Sequence, residues 1–333
     1  MCIRDRAAVG LAAVLNFVGA FISLEVAATI ASGVVEADVI TTPIVFAGLV
    51  GAIAWNLATW WYGLPSSSSH ALIGGVAGAA FAAAGASAVL GDGIVEKVII
   101  PALVAPLLAF TVAGLAILIA YRVVGGLRPG SVNRGYRFGQ LASASLFSLA
   151  HGTNDAQKTM GIITLALIAA GELSADNFEV PFWVIFSSAT AIALGTYTGG
   201  WRIIRTMGSR IIKMDPAQGF SAQGAGAAVI LTASHLGFPL STTHTISGGI
   251  MGAGAAKRLS AVRWGVAGNI VIAWVLTFPA AAGIGALTYG AVAVFGSDAA
   301  GVLVVAISLV ALLAALFGRR LQVRSHEAEV APA

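Results

Sequence analysis

Long apolar segments joined by short loops make up most of the sequence. They lie at residues 7–32, 42–62, 63–86, 98–121, 139–170, 180–200, 219–236, 237–256, 264–290 and 301–318. A helix crosses a bilayer in about 20 apolar residues, whereas a membrane-barrel strand alternates polar and apolar residues over about ten. Only 10% of the 333 residues are charged, too few to cover a soluble protein of this size. We therefore predict an all-α polytopic membrane protein with about ten transmembrane segments.

The charges of the loops predict which side of the membrane each loop faces. Basic residues cluster at 122–137, 202–213, 257–263 and 319–324, and acidic residues such as Glu36, Asp92, Glu172 and Asp298 mark the loops between them. Because basic loops face the cytoplasm, this alternation predicts a multi-pass protein of the cytoplasmic membrane, in contact with the lipid bilayer. The net charge of +4 follows from the same loops and does not indicate nucleic acid as a partner.

A short motif occurs twice, 174 residues apart (positions 65 and 239, for example). The first copy, GLPSSSSH, begins at Gly63, and the second, GFPLSTTH, begins at Gly237. By the loop charges the first copy begins on the cytoplasmic side and the second on the outer side, so the repeat is inverted. Inverted repeats with interrupted or re-entrant helices are typical of secondary transporters, whose site lies between the repeats near the membrane midplane.

Both copies of the motif have a chemistry that suits an anion. Proline favours the first helical turn, and Ser or Thr caps the free N–H groups there. A helix start offers N–H donors and the positive end of the helix dipole, and the hydroxyls add donors without burying a charge. A plain loop followed by packing glycines is the alternative interpretation, against which the two inverted copies argue.

A third motif, HGTNDAQKTMG at residues 151–161, lies inside the apolar segment 139–170. A carboxylate at the centre of a membrane helix costs about 2.5–3.5 kcal/mol and indicates a functional residue by default. Asp155 and the amide oxygen of Asn154 are hard oxygen ligands that suit a coupling cation or a proton. Gly152 and its polar neighbours predict a broken helix with freed carbonyls. The structural alternative is an Asp155–Lys158 pair that neutralises itself one turn apart, and both interpretations can hold.

The string HGTNDAQKTMG and the motifs PSSSSH and PLSTTH resemble the inorganic phosphate transporter (PiT) family, over essentially the whole chain from Ala7 to Phe317. The resemblance implies an all-helical fold with inverted repeats. It implies a symporter that takes up inorganic phosphate, driven by a proton or sodium gradient. It therefore implies a protein that is not an enzyme and has no cofactor beyond the coupling cation, H⁺ or Na⁺.

Carried over to this sequence, the family's motifs select candidate site residues. The substrate-binding candidates are Ser67, Ser68, Ser69, Thr153, Asn154, Ser241, Thr242 and Thr243. The coupling ion is assigned to Asp155 and Asn154, with Lys158, His70 and His244 as secondary candidates. No metal site is predicted, because the histidine spacings match no ligand pattern and one cysteine cannot form a cluster.

The repeat also predicts how the chain is divided. Residues 1–130 form the first inverted repeat, 131–318 the second repeat with the terminal helices, and 319–333 a cytoplasmic tail. The family has an Asn-Asp or His-Asp motif in its first half too, and its place here would fall before Met1. We therefore expect the first repeat to be incomplete at its N-terminus, truncated relative to the native start.

Two alternative functions and the oligomeric state stay open. The same scaffold could carry sulfate or another tetrahedral oxyanion, because hydroxyls and helix N-termini bind either anion. An intramembrane enzyme using His151 and Asp155 is more remote, since no nucleophile, base and orienting group stand at a recognisable spacing. The sequence allows a homo-oligomer and does not require one.

Overall fold

The computed structural model describes the backbone of residues 3–174 and 178–330, with side chains at all of these except 32 and 315–330. The last three residues of the predicted tail 319–333 therefore lie outside the described residues. Within the described part all regular structure is helical, apart from one isolated antiparallel bridge between Val35 and Val89. The predicted all-helical fold is confirmed.

Thirteen α-helices follow one another in the described chain. They are α1 (Asp5–Gly19), α2 (Glu25–Gly33), α3 (Thr42–Tyr62), α4 (Ser68–Ala84), α5 (Gly91–Ile94), α6 (Ile100–Val124), α7 (Pro129–Ala169), α8 (Phe182–Thr198), α9 (Trp201–Arg205), α10 (Pro216–His235), α11 (Thr242–Lys257), α12 (Trp264–Val294) and α13 (Ala299–Val330). Short π-helical turns lead from α5 into α6 and follow α9.

Helix starts recur at the spacing of the sequence motif. Thr42 opens α3 and Pro216 opens α10, while Ser68 opens α4 and Thr242 opens α11. Each of these pairs of helices forms a hairpin, α3–α4 and α10–α11. The turn of each hairpin contains a glycine in the left-handed region, Gly63 with φ 67° and Gly237 with φ 75°, a conformation that other residues adopt only with strain.

Glycines let the second helix of each hairpin lie directly against a long helix of the other half. The close approaches are Gly74 to Phe278, Gly78 to Ala282, Gly248 to Pro106 and Gly252 to Phe110. A side chain at any of these glycines would overlap the facing backbone. Because residue numbers rise together along both members of a pair, α4 runs parallel to α12 and α11 runs parallel to α6.

The open ends of the two hairpins lie at opposite ends of the bundle. Segment 34–36 is hydrogen-bonded to segment 88–90, which closes the α3–α4 hairpin just before the start of α6. The Arg263 amide donates to the Ile211 carbonyl at 2.9 Å, which closes the α10–α11 hairpin. Since α11 runs parallel to α6, this second closure lies toward the other end of α6. The two hairpins therefore enter the bundle from opposite ends.

Two expectations about individual helices change. The predicted break at Gly152 is wrong, because α7 is continuous from Pro129 to Ala169. Gly152 instead gives α7 room to lie against the backbone of Asn16 in α1. Conversely, the single segment predicted at 7–32 is divided into α1 and α2 by residues 20–24.

The predicted count of about ten crossings is not confirmed. Within the described residues, three helices are long and apolar enough to cross a membrane, judged by length and composition: Thr42–Tyr62, Gly91–Val124 and Trp264–Val294. Three shorter apolar helices also occur, at Ser68–Ala84, Phe182–Thr198 and Ala299–Ala314.

Candidate functional site

Both carboxylate oxygens of Asp155, in the middle of α7, are occupied. Oδ1 accepts a hydrogen bond from Lys158 Nζ at 2.6 Å. Oδ2 accepts from the Thr242 hydroxyl at 2.9 Å and lies 3.0 Å from His151 Nε2. Residues three and four positions apart share a helix face, which brings His151 and Lys158 to the same carboxylate. The predicted Asp155–Lys158 pair is present, and two further groups extend it.

Lys158 connects α7 to both hairpins. Its ammonium donates to Ser69 Oγ at 2.6 Å in the first hairpin and to the Leu240 carbonyl at 2.5 Å in the second. With Asp155 as the third acceptor, all three ammonium N–H groups are used. The side chain is 3% exposed, and a buried charge is tolerated when it is paired and hydrogen-bonded in this way. Lys158 Nζ is therefore bonded to residues at the turns of both hairpins.

The hydroxyls of Ser67 and Ser241 fix where α4 and α11 begin. Ser67 Oγ accepts from the backbone N–H of His70 at 3.2 Å, and Ser241 Oγ accepts from that of His244 at 3.3 Å. Each serine is therefore an N-cap in the usual geometry. Two helix N-termini, with their free N–H groups and positive dipole ends, point toward the neighbourhood of Lys158.

The other candidate hydroxyls fall into two groups. Ser68 is exposed and Thr243 half-buried, and neither hydroxyl has a hydrogen bond within the described part of the chain. Thr153 is different, because its hydroxyl lies 2.9 and 3.0 Å from the carbonyl oxygens of Gly19 and Leu149 and shares its one proton between them. Asp155 and the three groups bonded to it, His151, Lys158 and Thr242, form the Asp155 cluster. Thr153 faces α1 instead, and the structure does not bring it to this cluster.

Asn154 is fully buried beside the cluster with one end of its amide satisfied. Nδ2 donates to Ser234 Oγ at 2.8 Å. No donor among the described residues reaches Oδ1. A buried acceptor without a partner costs free energy, so this oxygen would favour a cation or a hydrogen-bond donor placed beside it.

A chain of polar contacts leads from Asp155 to α1 and α8. His151 Nδ1 lies 2.8 Å from Asn16 Oδ1. Asn16 Nδ2 donates to Thr196 Oγ1 at 3.0 Å, and Thr196 donates to the Ile192 carbonyl at 2.8 Å. Asn16 is 2% exposed, and the His151 side chain is 30% exposed. His151 is therefore held at both ring nitrogens while part of its ring stays accessible.

The two motif histidines lie against each other. The rings of His70 and His244 meet edge to face at 4.8 Å, and Trp274 stacks on His244 at 4.0 Å. Trp274 also donates to the Pro65 carbonyl at 3.0 Å, which ties it to the first turn. Their contacts hold the two turns together, and among the described residues no cluster of three or more His, Cys, Asp or Glu residues forms.

Several residues of the site were not selected from the sequence. Gln157 Oε1 accepts from the backbone N–H groups of Val26 and Ala27 at 2.8 and 3.2 Å and so caps α2 from another helix. His151 was weighed only for a metal site and for the enzyme alternative, and Asn16 was not selected as a site residue. The spacing of His151 four positions before Asp155 was a usable signal, whereas no local pattern indicates that Asn16 contacts His151.

A cavity of about 720 Å³ lies beside α7, α10 and α11. Its lining includes Arg137, Gln140, Phe147 and Gln223. Phe147 is one helical turn before His151 along α7, so the cavity extends from the basic end of α7 toward the cluster.

Comparisons with known proteins agree with these features. The model of the phosphate transporter family matches residues 2–130 and 127–285. The chain is 53% identical over 294 residues to the probable low-affinity inorganic phosphate transporter of Mycobacterium tuberculosis, covering 88% of this chain and 70% of that protein. The protein of the same name from Rhizobium meliloti is 50% identical over 288 residues, with 86% of each covered.

A solved structure described as the sodium-dependent phosphate transporter has the same fold. It aligns with a TM-score of 0.74 over 88% of this chain and 91% of its own, at 24% identity. The family and the relatives are named for transport and not for catalysis, so transport replaces the enzyme alternative. With the duplicated hairpin motif, the buried Asn-Asp pair and a family match over most of its length, this chain belongs to the phosphate transporter family.

Proposed function

We propose that the protein is a secondary active symporter that moves inorganic phosphate across the cytoplasmic membrane together with a proton or a sodium ion. The observation that carries this proposal is the ammonium of Lys158, which is bonded at once to α7 and to both inverted hairpins. A site at the interface of two inverted repeats is where alternating access operates in secondary transporters.

The geometry of the hairpins supports six crossings with two re-entrant hairpins. The hairpins enter from opposite ends of the bundle, and both turns reach Lys158. If each hairpin crossed fully, its turn would lie at the far surface and the two turns would be a membrane thickness of about 30 Å apart. We therefore propose crossings by α1–α2, α6, α7, α8–α9, α12 and α13.

The loop charges agree with this arrangement. The closure of the first hairpin carries Glu36 and Asp92 and lies outside, whereas the closure of the second carries Lys213, Arg258 and Arg263 and faces the cytoplasm. The division into repeats at 1–130 and 131–318 fits the recurrence of helix starts. The cavity lined by Arg137 then opens toward the cytoplasm.

The hydroxyl-rich turns are the proposed phosphate-binding elements. Phosphate is an anion with several acceptor oxygens, and the N-termini of α4 and α11 supply N–H donors and positive dipole ends. The unengaged hydroxyls of Ser68 and Thr243 add donors, and Ser69, Thr242 and Lys158 lie directly beside them in the chain or in space. Asp155 and the unsatisfied oxygen of Asn154 are the proposed positions for the coupling cation.

Transport of labelled phosphate into proteoliposomes tests the proposal. We expect uptake against a phosphate gradient when a proton or a sodium gradient is imposed, with little competition from excess sulfate. Phosphate uptake that is unchanged by either the proton or the sodium gradient would refute symport. Equal competition by sulfate would instead support the broader oxyanion permease.

A further inference from the structure

The contacts of His151 determine how many protons its ring carries. The Ile192 carbonyl can only accept, so the Thr196 hydroxyl must donate to it and can only accept from Asn16. The amide of Asn16 therefore presents its nitrogen to Thr196 and its oxygen to His151. Because an amide oxygen only accepts, Nδ1 of His151 carries a proton.

The second ring nitrogen faces another group that accepts. Nε2 of His151 lies 3.0 Å from Oδ2 of Asp155, which already accepts from Thr242. A neutral histidine carries one proton, and Nδ1 holds it, so Nε2 would turn a lone pair toward a carboxylate. The contact is favourable only when an additional proton lies between His151 and Asp155.

Lys158 occupies the place that a metal cation would take at the same carboxylate. Its ammonium is surrounded by Asp155 Oδ1, Ser69 Oγ and the Leu240 carbonyl, all within 2.6 Å. These are the hard oxygen ligands that small cations prefer. A sodium ion at Asp155 would have to displace an ammonium that makes three hydrogen bonds.

We propose that His151 carries the coupling proton of the symport, and that Asn16 and Thr196 hold the His151 ring in the form that binds this proton. The inference rests on the proposed symport of phosphate. The imidazole ring can hold one proton or two, which suits a group that must load and release one in each cycle.

The net charge of the cluster determines whether the proton favours or opposes the binding of phosphate. With the proton, His151 and Lys158 contribute two positive charges against one negative charge on Asp155, and the cluster attracts an anion. Without it the charges cancel. Because coupling between two sites is reciprocal, a bound phosphate anion in turn favours the proton. Proton and phosphate are therefore loaded together and released together.

Few charged groups modify this balance. On α1 and α8 the polar groups that meet the cluster are Asn16 and Thr196, neither of which titrates. The second hairpin presents the Thr242 hydroxyl. His70 and His244 contact each other, and His244 stacks on Trp274; neither ring has a hydrogen bond to His151 or Asp155 within the described part of the chain.

The test measures the charge moved with each phosphate. Proteoliposomes are given equal pH on both sides, an imposed membrane potential and labelled phosphate, with sodium present or absent. His151→Gln keeps a donor for Asp155 but cannot take up the proton. If one proton fewer moves with each phosphate, the ratio of internal to external phosphate at equilibrium differs from that of the unmodified protein about tenfold for each 59 mV of membrane potential. An inside-positive potential favours accumulation by the variant, because the variant moves one positive charge fewer into the vesicle.

A second variant tests the same idea without touching the cluster. Thr196→Val removes the acceptor that orients Asn16, so the amide can turn and a neutral His151 can donate from Nε2. We expect its voltage response to move in the same direction as that of His151→Gln. Thr190→Val is the matched control, because the Thr190 hydroxyl likewise donates to a carbonyl of α8, that of Phe186 at 2.7 Å, but this hydrogen bond is exposed.

The outcomes separate the two proposals. No phosphate uptake by the unmodified protein would refute the proposed function itself. Uptake that requires sodium, or an unchanged voltage response in both His151→Gln and Thr196→Val, would overturn only the role of His151. If His151→Gln moves no phosphate, Thr196→Val decides: a shifted response supports the proposal, and a response equal to that of Thr190→Val overturns it.

Discussion

Replacing Lys158 by methionine removes the one charge that joins α7 to both hairpins. Methionine keeps most of the length of the side chain, so the change is mainly the loss of the ammonium. Three acceptors lose the hydrogen bond from the ammonium: the Asp155 carboxylate, the Ser69 hydroxyl and the Leu240 carbonyl. Water cannot easily replace it, because the side chain is 3% exposed.

The structure sets the size of the expected effect. Removing one partner of a buried ion pair costs about 3–5 kcal/mol, because the other charge stays buried without compensation. His151 and Thr242 still donate to Asp155, which places the expected loss of unfolding free energy toward the lower end, about 3 kcal/mol. The double variant Lys158→Met/Asp155→Asn removes both charges, and we expect it to recover part of this loss.

Unfolding in mixed micelles, followed by tryptophan fluorescence during titration with sodium dodecyl sulfate, measures the loss. Lys257→Met is the matched control. Lys257 is 3.5 Å from Asp215, but the two side chains are 55% and 34% exposed, and an exposed pair contributes at most about 1 kcal/mol. Equal and small effects of Lys158→Met and Lys257→Met would refute the structural role of Lys158.

Three further predictions concern the site and its packing. Asp155→Asn, which removes the charge and keeps the size, should abolish gradient-driven phosphate uptake in proteoliposomes while the purified protein still elutes as a folded species. Ser68→Ala should raise the phosphate concentration for half-maximal uptake roughly 10- to 150-fold, the effect of losing one donor to a charged group, with unchanged thermal stability, because this hydroxyl has no partner in the described chain. Gly252→Val should lower the melting temperature in detergent, since a Cβ there overlaps the Phe110 backbone, whereas Gly224→Val has open space and should leave it unchanged.

The features that could be predicted from the sequence depend on spacing along the chain. The offset between the two motifs predicted where α4 and α11 begin, because the same Pro and Ser pattern caps a helix wherever it occurs. The pairing of Asp155 with Lys158 followed from helical periodicity. The all-helical class followed from the length and apolar character of the segments.

The features that escaped prediction depend on contacts between distant parts of the chain. His151 and Asn16 meet across 135 residues, and no local pattern marks such a pair. Hydropathy could not separate a re-entrant hairpin from two crossings, because α3 is apolar and 21 residues long in either case. The predicted break at Gly152 was wrong for a similar reason, since the glycine serves the approach of α1 and not the bending of α7.

The bonds of Lys158 would also connect the proposed phosphate binding to movement of the hairpins. Moving either turn away from α7 takes Ser69 or Leu240 from the ammonium, and a buried donor left without an acceptor costs about 1–3 kcal/mol. A phosphate oxygen is an acceptor that can take the vacated position, so bound phosphate lowers the cost of separating a turn from Lys158. A ligand shifts a conformational equilibrium by its difference in affinity for the two states. At the proposed site, the same ammonium that ties both turns to α7 would therefore give phosphate, and not an apolar solute, the means to release one of them.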